Sequence, residues 1–233
     1  MATWTLVTGG AKGLGAQTCM SLAKRGHNIV VHYLHSAEEA GQVAESCRSL
    51  GVNADCFQGD LSLIDPFVQS YIERFEDTGY LVNNVGNFSL GTISEATSDE
   101  WQQLFQSNVF APMLLTKGLL SSLKQHKGAV VNIGLAGIER FYADTYCAAY
   151  SAAKAALFQA SRSLARELVP HQVRVNMVSP GYLESSVVKP SQVMQLERLA
   201  SLHEVAEAVA YFLSDDAKYI TGQNLEVAGG VRL

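Results

Sequence analysis

The chain has 233 residues, 48% of them hydrophobic and 17% charged, with a formal net charge of −5. That length suits one α/β domain with a sizeable core and is short for two. The composition excludes a disordered chain, and the acidic balance disfavours a nucleic-acid partner; Lys12, Lys24 and Arg25 come nearest to a basic cluster.

No apolar run reaches the length of a membrane span. Met1-Ala2-Thr3-Trp4 leads almost directly into a strand, with no basic segment or cleavage pattern, so no signal peptide is expected. Cys19, Cys47, Cys56 and Cys147 are scattered, which points to reduced core thiols and a cytoplasmic setting. The six His show no metal-ligand spacing.

In chain order, residues 3–7 read as an apolar strand. A Gly-rich turn, Thr8-Gly9-Gly10-Ala11-Lys12-Gly13-Leu14-Gly15, leads into a helix over 16–24 that ends at Arg25-Gly26. Residues 28–33 read as a strand, and Ser36 with Glu39 as the capping box of a helix running to about residue 50. Strands over 53–58 and 80–83 flank a helix over 63–76. One long helix is expected over 98–125, then a strand over 128–133, a long helix over 147–168 stopped at Pro170, and a strand over 173–178. After an irregular segment over 179–201, long enough to be a mobile lid, come a helix over 202–213 and a strand over 224–227. Alternation of strand and helix with short connections predicts a doubly wound, Rossmann-like parallel sheet, with 1–233 as a single dinucleotide-binding and catalytic domain.

Two constellations carry chemistry. The Gly-rich turn lies between the first strand and the first helix, where such a sheet receives a dinucleotide. Gly9 permits the turn, Gly13 and Gly15 allow close backbone approach, and the helix N-terminus faces the phosphates. At the end of the second strand, His32-Tyr33-Leu34-His35-Ser36 offers no acid for a ribose 2′-hydroxyl. Lys12 and Ser36 suit a 2′-phosphate, so NADP(H) is favoured over NAD(H). The other constellation is Tyr150 with Lys154, one helical turn apart, where an ammonium would favour the phenolate and bring a proton donor towards neutral pH.

These motifs occur in order with Asn83-Asn84-Val85-Gly86, Asn108, Arg174-Val175-Asn176, Ser179-Pro180-Gly181, Ile220-Thr221-Gly222-Gln223 and Gly229-Gly230. The whole chain resembles the short-chain dehydrogenase/reductase family, most of all its 3-oxoacyl-[acyl-carrier-protein] reductases, with pteridine reductases as a second relative. The resemblance implies an NADPH-dependent reductase of a small-molecule or acyl-carrier-bound carbonyl in fatty-acid biosynthesis. Tyr150 would be the general acid, Lys154 would lower its pKa and bond the nicotinamide ribose, and Asn108 would support a relay water. Residues 9–15 (Gly9, Gly10, Ala11, Lys12, Gly13, Leu14 and Gly15) would bind the diphosphate, with His35 and Ser36 nearby. Asp60 and Leu61 would meet adenine. Asn84 and Gly86 would line the adenosine-ribose side and stabilise the central sheet, and Pro180, Gly181, Leu183 and Ser185 would border the nicotinamide. The two long helices would form the interface of a homo-oligomer, a dimer or tetramer.

Three departures from the family pattern stand out. The Ser expected after the fifth strand is missing: the position falls on Leu135 counted from the strand, or near Gly137 counted back from Tyr150. Loss of such a donor costs on the order of 10²–10³ in rate where it stabilises developing charge. Tyr142, Thr145 and Tyr146 are candidate replacements, and Glu139 and Asp144 are the acids nearest the place where pteridine reductases carry one. A substrate that brings its own polarisation or is held by one of these residues is one reading, a slow or substrate-narrow enzyme a second, and a chain that binds NADP without turnover a third. The segment after Gly181 is short for an acyl-carrier reductase, and Ala228 stands where an Asp is common, a difference read as structural.

Overall fold

The computed structural model describes residues 3–140, 143–186 and 198–231. Seven strands form one sheet: β1 (Trp4–Val7), β2 (Asn28–Tyr33), β3 (Ala54–Gln58), β4 (Thr78–Asn83), β5 (Ala129–Ile133), β6 (Arg174–Pro180) and β7 (Asn224–Val227). The order is β3-β2-β1-β4-β5-β6-β7 and each pairing is parallel. Both faces are covered, which is why the strands are near-continuous apolar runs. Val7, Val31, Val82 and Val131 pack on α1 (Gly13–Lys24), α2 (Ala37–Arg48) and α8 (Leu202–Leu213). Leu6, Val30, Leu81 and Val130 face α3 (Ile64–Arg74), α5 (Ala111–Gly118) and the C-terminal half of α7 (Ala148–Leu168). The strand order reverses between β1 and β4, so a crevice opens beyond their C-terminal ends.

The doubly wound sheet expected from the sequence is present, and α8 and β7 have the expected bounds. The expected helix over 98–125 is not continuous. It divides into α4 (Ser98–Phe105), a π-turn over Gln106–Phe110, α5, and α6 (Leu120–His126). Side chains at the π-turn compete for the helix carbonyls: Ser107 Oγ donates to Gln103 O at 2.8 Å and Asn108 Nδ2 to Leu104 O at 3.0 Å. Pro112, at the start of α5, has no N–H to continue the ladder. Thr97 and Glu100, rather than Ser98, form the capping box of α4.

The capping box expected at Ser36 and Glu39 is not formed. Ser36 is the N-cap of α2, but its hydroxyl accepts no capping bond, and Glu39 reaches across to Lys12 instead. A buried polar chain links the central layers: Asn83 Nδ2 donates to Asn132 Oδ1 at 2.8 Å, and Asn132 Nδ2 to Ser161 Oγ of α7 at 2.8 Å. Among the described residues, no helix is long and apolar enough to cross a membrane. All four cysteines are free, with Cys19, Cys47 and Cys147 buried. Residues 187–197 of the irregular segment read as a lid, and Tyr142, lie outside the described residues.

Candidate active site

The turn after β1 is shaped by backbone demands. Gly9 and Gly13 have φ of +62° and +53°, a left-handed conformation that favours glycine. A Cβ on Gly15 would collide with the Gly9 carbonyl, so Gly15 serves the packing of α1 on the turn, while Gly13 faces open space. Lys12 is the N-cap of α1 and makes no side-chain capping bond, so the first-turn N–H groups of α1 remain free donors for an anion. Gly10 and Ala11 lie inward; Gly10 N–H donates to His32 O at 2.8 Å. Leu14 packs against the core.

The Asn84 side chain holds the turn in place rather than lining a cavity. Its Nδ2 donates to Thr8 O at 2.9 Å, and Thr8 Oγ1 accepts the Asn84 and Val85 N–H groups at 2.8 and 3.1 Å. A cavity of about 740 Å³ opens beside the turn. Gly9, Asp60 and Leu61 line it as expected for an adenosine side, together with His32, Val85 and Asn87, which the sequence reading missed. Asp60 Oδ1 accepts the Ser62 N–H at 2.8 Å, and that bond holds its carboxyl below the usual range. The one signal for His32 was a polar residue directly after the apolar run Ile29-Val30-Val31 of that strand.

Lys12 Nζ pairs with Glu39 Oε1 at 2.7 Å, which brings the N-terminal ends of α1 and α2 together beside Ser36. His35 and Ser36 lie outside the lining of that cavity.

A second cavity, of about 440 Å³, lies beyond the ends of β5 and β6. It gathers Gly86, Tyr150, Pro180, Gly181, Leu183 and Ser185, which the sequence places far apart. Gly86 thus belongs to this side rather than to the adenosine side where it was expected. Its Cα abuts the carboxamide of Asn108, since a Cβ there would collide with Asn108 Oδ1 and lie 3.5 Å from Lys154 Nζ. Asn108 is fully buried; its Nδ2 donates to Asn87 O at 2.9 Å, and its Oδ1 has no partner among the described residues. The π-turn is what aims this side chain: an uninterrupted helix would rotate it away.

Lys154 is buried, and its Nζ donates to Ile133 O at 2.7 Å and lies 5.6 Å from the centre of the Tyr150 ring. Burial lowers its pKa to about 8. The Tyr150 phenol is pushed well up, first by burial and then by Cys147. The expectation that the ammonium brings Tyr150 towards neutral pH is therefore not met in this arrangement. Desolvation dominates, and the ammonium's hydrogen bond goes to the Ile133 carbonyl. The phenol is a fully protonated donor, edge-on to Phe88 at 5.0 Å.

Of the two positions considered for the missing Ser, Leu135 lines the cavity. Gly137 does not; its N–H donates to Glu226 Oε1 at 2.7 Å. Tyr146 lines the cavity and Thr145 does not. Neither acid occupies the place of the missing hydroxyl. Glu139 is exposed outside the lining. Asp144 accepts from the Tyr146 and Cys147 N–H groups and from Ser151 Oγ, bonds that outweigh burial and hold its carboxyl below the usual range.

A parallel sheet with a free helix N-terminus at its switch point, and a half-buried Tyr with a buried Lys and Asn around the adjoining cavity, define a Rossmann-type oxidoreductase site. The glycine cradle, the free α1 donors and the orphaned Asn108 Oδ1 fit a bound dinucleotide and a water. A family model described as enoyl-(acyl carrier protein) reductase matches residues 9–232. The chain is 33% identical to the uncharacterized oxidoreductase YmfI of Bacillus subtilis, over 97% of each chain. It is 30% identical to the 3-oxoacyl-[acyl-carrier-protein] reductase FabG of Staphylococcus aureus, over 99% of this chain and 98% of that one. A blue fluorescent protein from a metagenomic library, crystallised with NADPH, superimposes with a TM-score of 0.90 at 28% identity, over 99% of this chain and 98% of that one. The chain belongs to the short-chain dehydrogenase/reductase family.

Proposed function

We propose that this protein is an NADPH-dependent reductase of a carbonyl compound, one domain holding both coenzyme and substrate. The observation that carries the reading is the single cavity in which Tyr150 meets Gly86, Pro180, Gly181, Leu183 and Ser185, with Asn108 and Lys154 buried beside it. Residues 9–15 would hold the diphosphate, Lys12 with His35 and Ser36 the 2′-phosphate, and Asp60 with Leu61 the adenine. Asn84 would act by fixing the turn. Pro180, Gly181, Leu183 and Ser185 would border the nicotinamide. Bound NADPH supplies a hydride to the carbonyl carbon.

The chain's own work is on the oxygen. Tyr150, protonated at neutral pH, donates its proton as negative charge develops there. Lys154, charged below about pH 8, stabilises the phenolate left behind. Asn108 Oδ1, lacking a partner among the described residues, would accept from a water that returns the proton to Lys154 and so to Tyr150.

The likeness to the Staphylococcus aureus reductase supports a 3-oxoacyl thioester as substrate, free or on an acyl carrier, and a place in fatty-acid biosynthesis. Exposed Phe110 and Leu114 on the π-turn and α5 support a homo-oligomer, with a tetramer favoured, and the scattered thiols support a cytoplasmic site. A pterin substrate has less support, since no acid stands where the hydroxyl is missing. Leu135 in that position is the observation that favours a weakly active, NADP-binding regulatory protein.

A panel of 3-oxoacyl thioesters, diketones and dihydropterins assayed with NADPH tests the reading. Turnover that falls at least about a hundredfold in Tyr150→Phe is expected. Equal inertness of wild type and Tyr150→Phe across the panel, with tight NADPH binding, would establish the regulatory reading instead.

A further inference from the structure

The cavity around Tyr150 has lost the hydroxyl expected at position 135, yet its wall is rich in phenols. Tyr146 and Tyr182 both line it with Tyr150 and Leu135. Among the described residues it has no charged side chain in its lining. Among those residues the substrate carbonyl meets neither an ammonium nor a guanidinium, and a second neutral donor is the group they leave the site in need of beside Tyr150.

Resting on the reductase reading above, we propose that Tyr182 supplies that donor: its phenol holds the substrate carbonyl oxygen from the β6 side while Tyr150 protonates it. Three observations favour Tyr182. Its phenolic oxygen has no hydrogen-bond partner among the described residues, although the ring is half-buried. Its backbone is fixed on both sides: Gly181 N–H donates to Val227 O at 3.0 Å, and Tyr182 O accepts the Ala200 N–H at 3.1 Å. Gly181 lies so close to Ala228 that a Cβ would meet the Ala228 Cα at 2.9 Å, so the residue before Tyr182 is wedged against the strand end. A donor on such a support holds its aim without reorganising during reaction.

The other hydroxyls suit the task less well. Tyr146 is 54% exposed, at the rim. Ser186 Oγ accepts the Leu183 N–H at 2.8 Å, which ties it to its own loop. Burial, together with Cys147, Asp144 and Tyr146 close by, raises the Tyr182 pKa, so the phenol stays a donor across the neutral range. In the balanced reaction the carbonyl carbon takes the hydride and the oxygen takes the Tyr150 proton. The products are the alcohol and oxidised coenzyme, and Tyr182 keeps its own proton throughout.

The test uses the full chain and the best substrate of the carbonyl panel. It compares wild type, Tyr182→Phe, Tyr146→Phe, Leu135→Ser and the double variant Leu135→Ser/Tyr182→Phe. Melting temperature and NADPH affinity are measured for each. Tyr182→Phe is expected to bind NADPH within about twofold of wild type, while kcat falls on the order of a hundredfold. Leu135→Ser is expected to raise kcat at least about tenfold more in the Tyr182→Phe background than in wild type, because the new hydroxyl takes over the same bond. Tyr146→Phe is expected to lose less than a tenth as much as Tyr182→Phe. An active wild type with an equally active Tyr182→Phe overturns the role of Tyr182 alone, as does a larger loss in Tyr146→Phe, or a Leu135→Ser gain that is the same in both backgrounds. A wild type inert on every carbonyl overturns the reductase reading itself.

Discussion

The imidazole of His32 accepts the backbone N–H of Gly9 at Nδ1, 3.0 Å away, and its Nε2 donates to the carbonyl of Gly59, also at 3.0 Å. One buried side chain thus joins the turn after β1 to the loop after β3, with Phe67 edge-on at 5.2 Å. The two partners fix the neutral tautomer with its proton on Nε2. Burial pushes the His32 pKa down, against smaller opposing effects of the Gly59 bond and of Asp60. Protonation would put an N–H on Nδ1 facing the N–H of Gly9, and the turn would have to open.

Coenzyme affinity should therefore fall as pH drops through the His32 pKa, below the ordinary imidazole range. The direction follows because only the neutral ring accepts the Gly9 N–H, and the neutral form is fully populated above that pKa. NADH, which has no titrating 2′-phosphate, is the cleaner probe. Its dissociation constant, followed by fluorescence between about pH 8 and about pH 5, should rise in wild type and stay flat in His32→Asn. Parallel curves for the two proteins would exclude His32 as the titrating group.

The alkaline limb of activity belongs to Lys154. Its charge is present below about pH 8 and lost above it. A protonated Lys154 is what stabilises the Tyr150 phenolate, so kcat should decline as pH rises through that value. In Lys154→Arg, whose charge persists to higher pH, the decline should move upward even if the maximal rate is lower. A pH–rate profile of both proteins reads this, and an unmoved limb would assign it to another group.

Lys12 and Glu39 set a third expectation. The pair is exposed, so it is a weak lock. A 2′-phosphate on Lys12 must compete with the Glu39 carboxylate. Glu39→Gln should therefore tighten NADPH by a few-fold and leave NADH nearly as it was, whereas Lys12→Ala should narrow the gap between the two coenzymes. Tighter binding of NADH than NADPH by wild type would overturn the assignment of Lys12 to a phosphate.

Features that depend on one segment were legible in the sequence. Apolar runs gave the strands, and Gly26, with φ of +86°, ended α1 as its position implied. Features made by distant residues were hidden. Ser36 and Glu39 have capping-box spacing, but Glu39 pairs with Lys12, 27 positions away in the chain. The break at Asn108 arises because its amide and Ser107 bond back to helix carbonyls while Asn87, on another loop, accepts from the same amide. Local periodicity has no means of registering that. Tyr150 and Lys154 were found by spacing. Burial raises one pKa and lowers the other, and the Ile133 carbonyl, the Phe88 ring and Cys147 that meet them come from elsewhere in the fold or from the preceding turn.

The chain Asn83–Asn132–Ser161 separates stability from chemistry. Asn132 is fully buried between β4 and α7, and its amide both accepts from Asn83 and donates to Ser161. Asn132→Ala leaves the Asn83 Nδ2 with only a 3.5 Å contact to Thr116. Ser161 Oγ keeps its own bond to Leu157 O but loses its donor. Stranding buried polar groups in this way costs about 1–3 kcal/mol each, and the urea midpoint should fall accordingly. The coenzyme turn is held by Thr8, Asn84 and His32, none of which bonds to Asn132. NADPH affinity of the folded variant should thus remain within about twofold of wild type. A variant that melts as wild type would show that the three side chains are wetted rather than mutually dependent, and one that loses coenzyme without losing stability would tie Asn132 to the site.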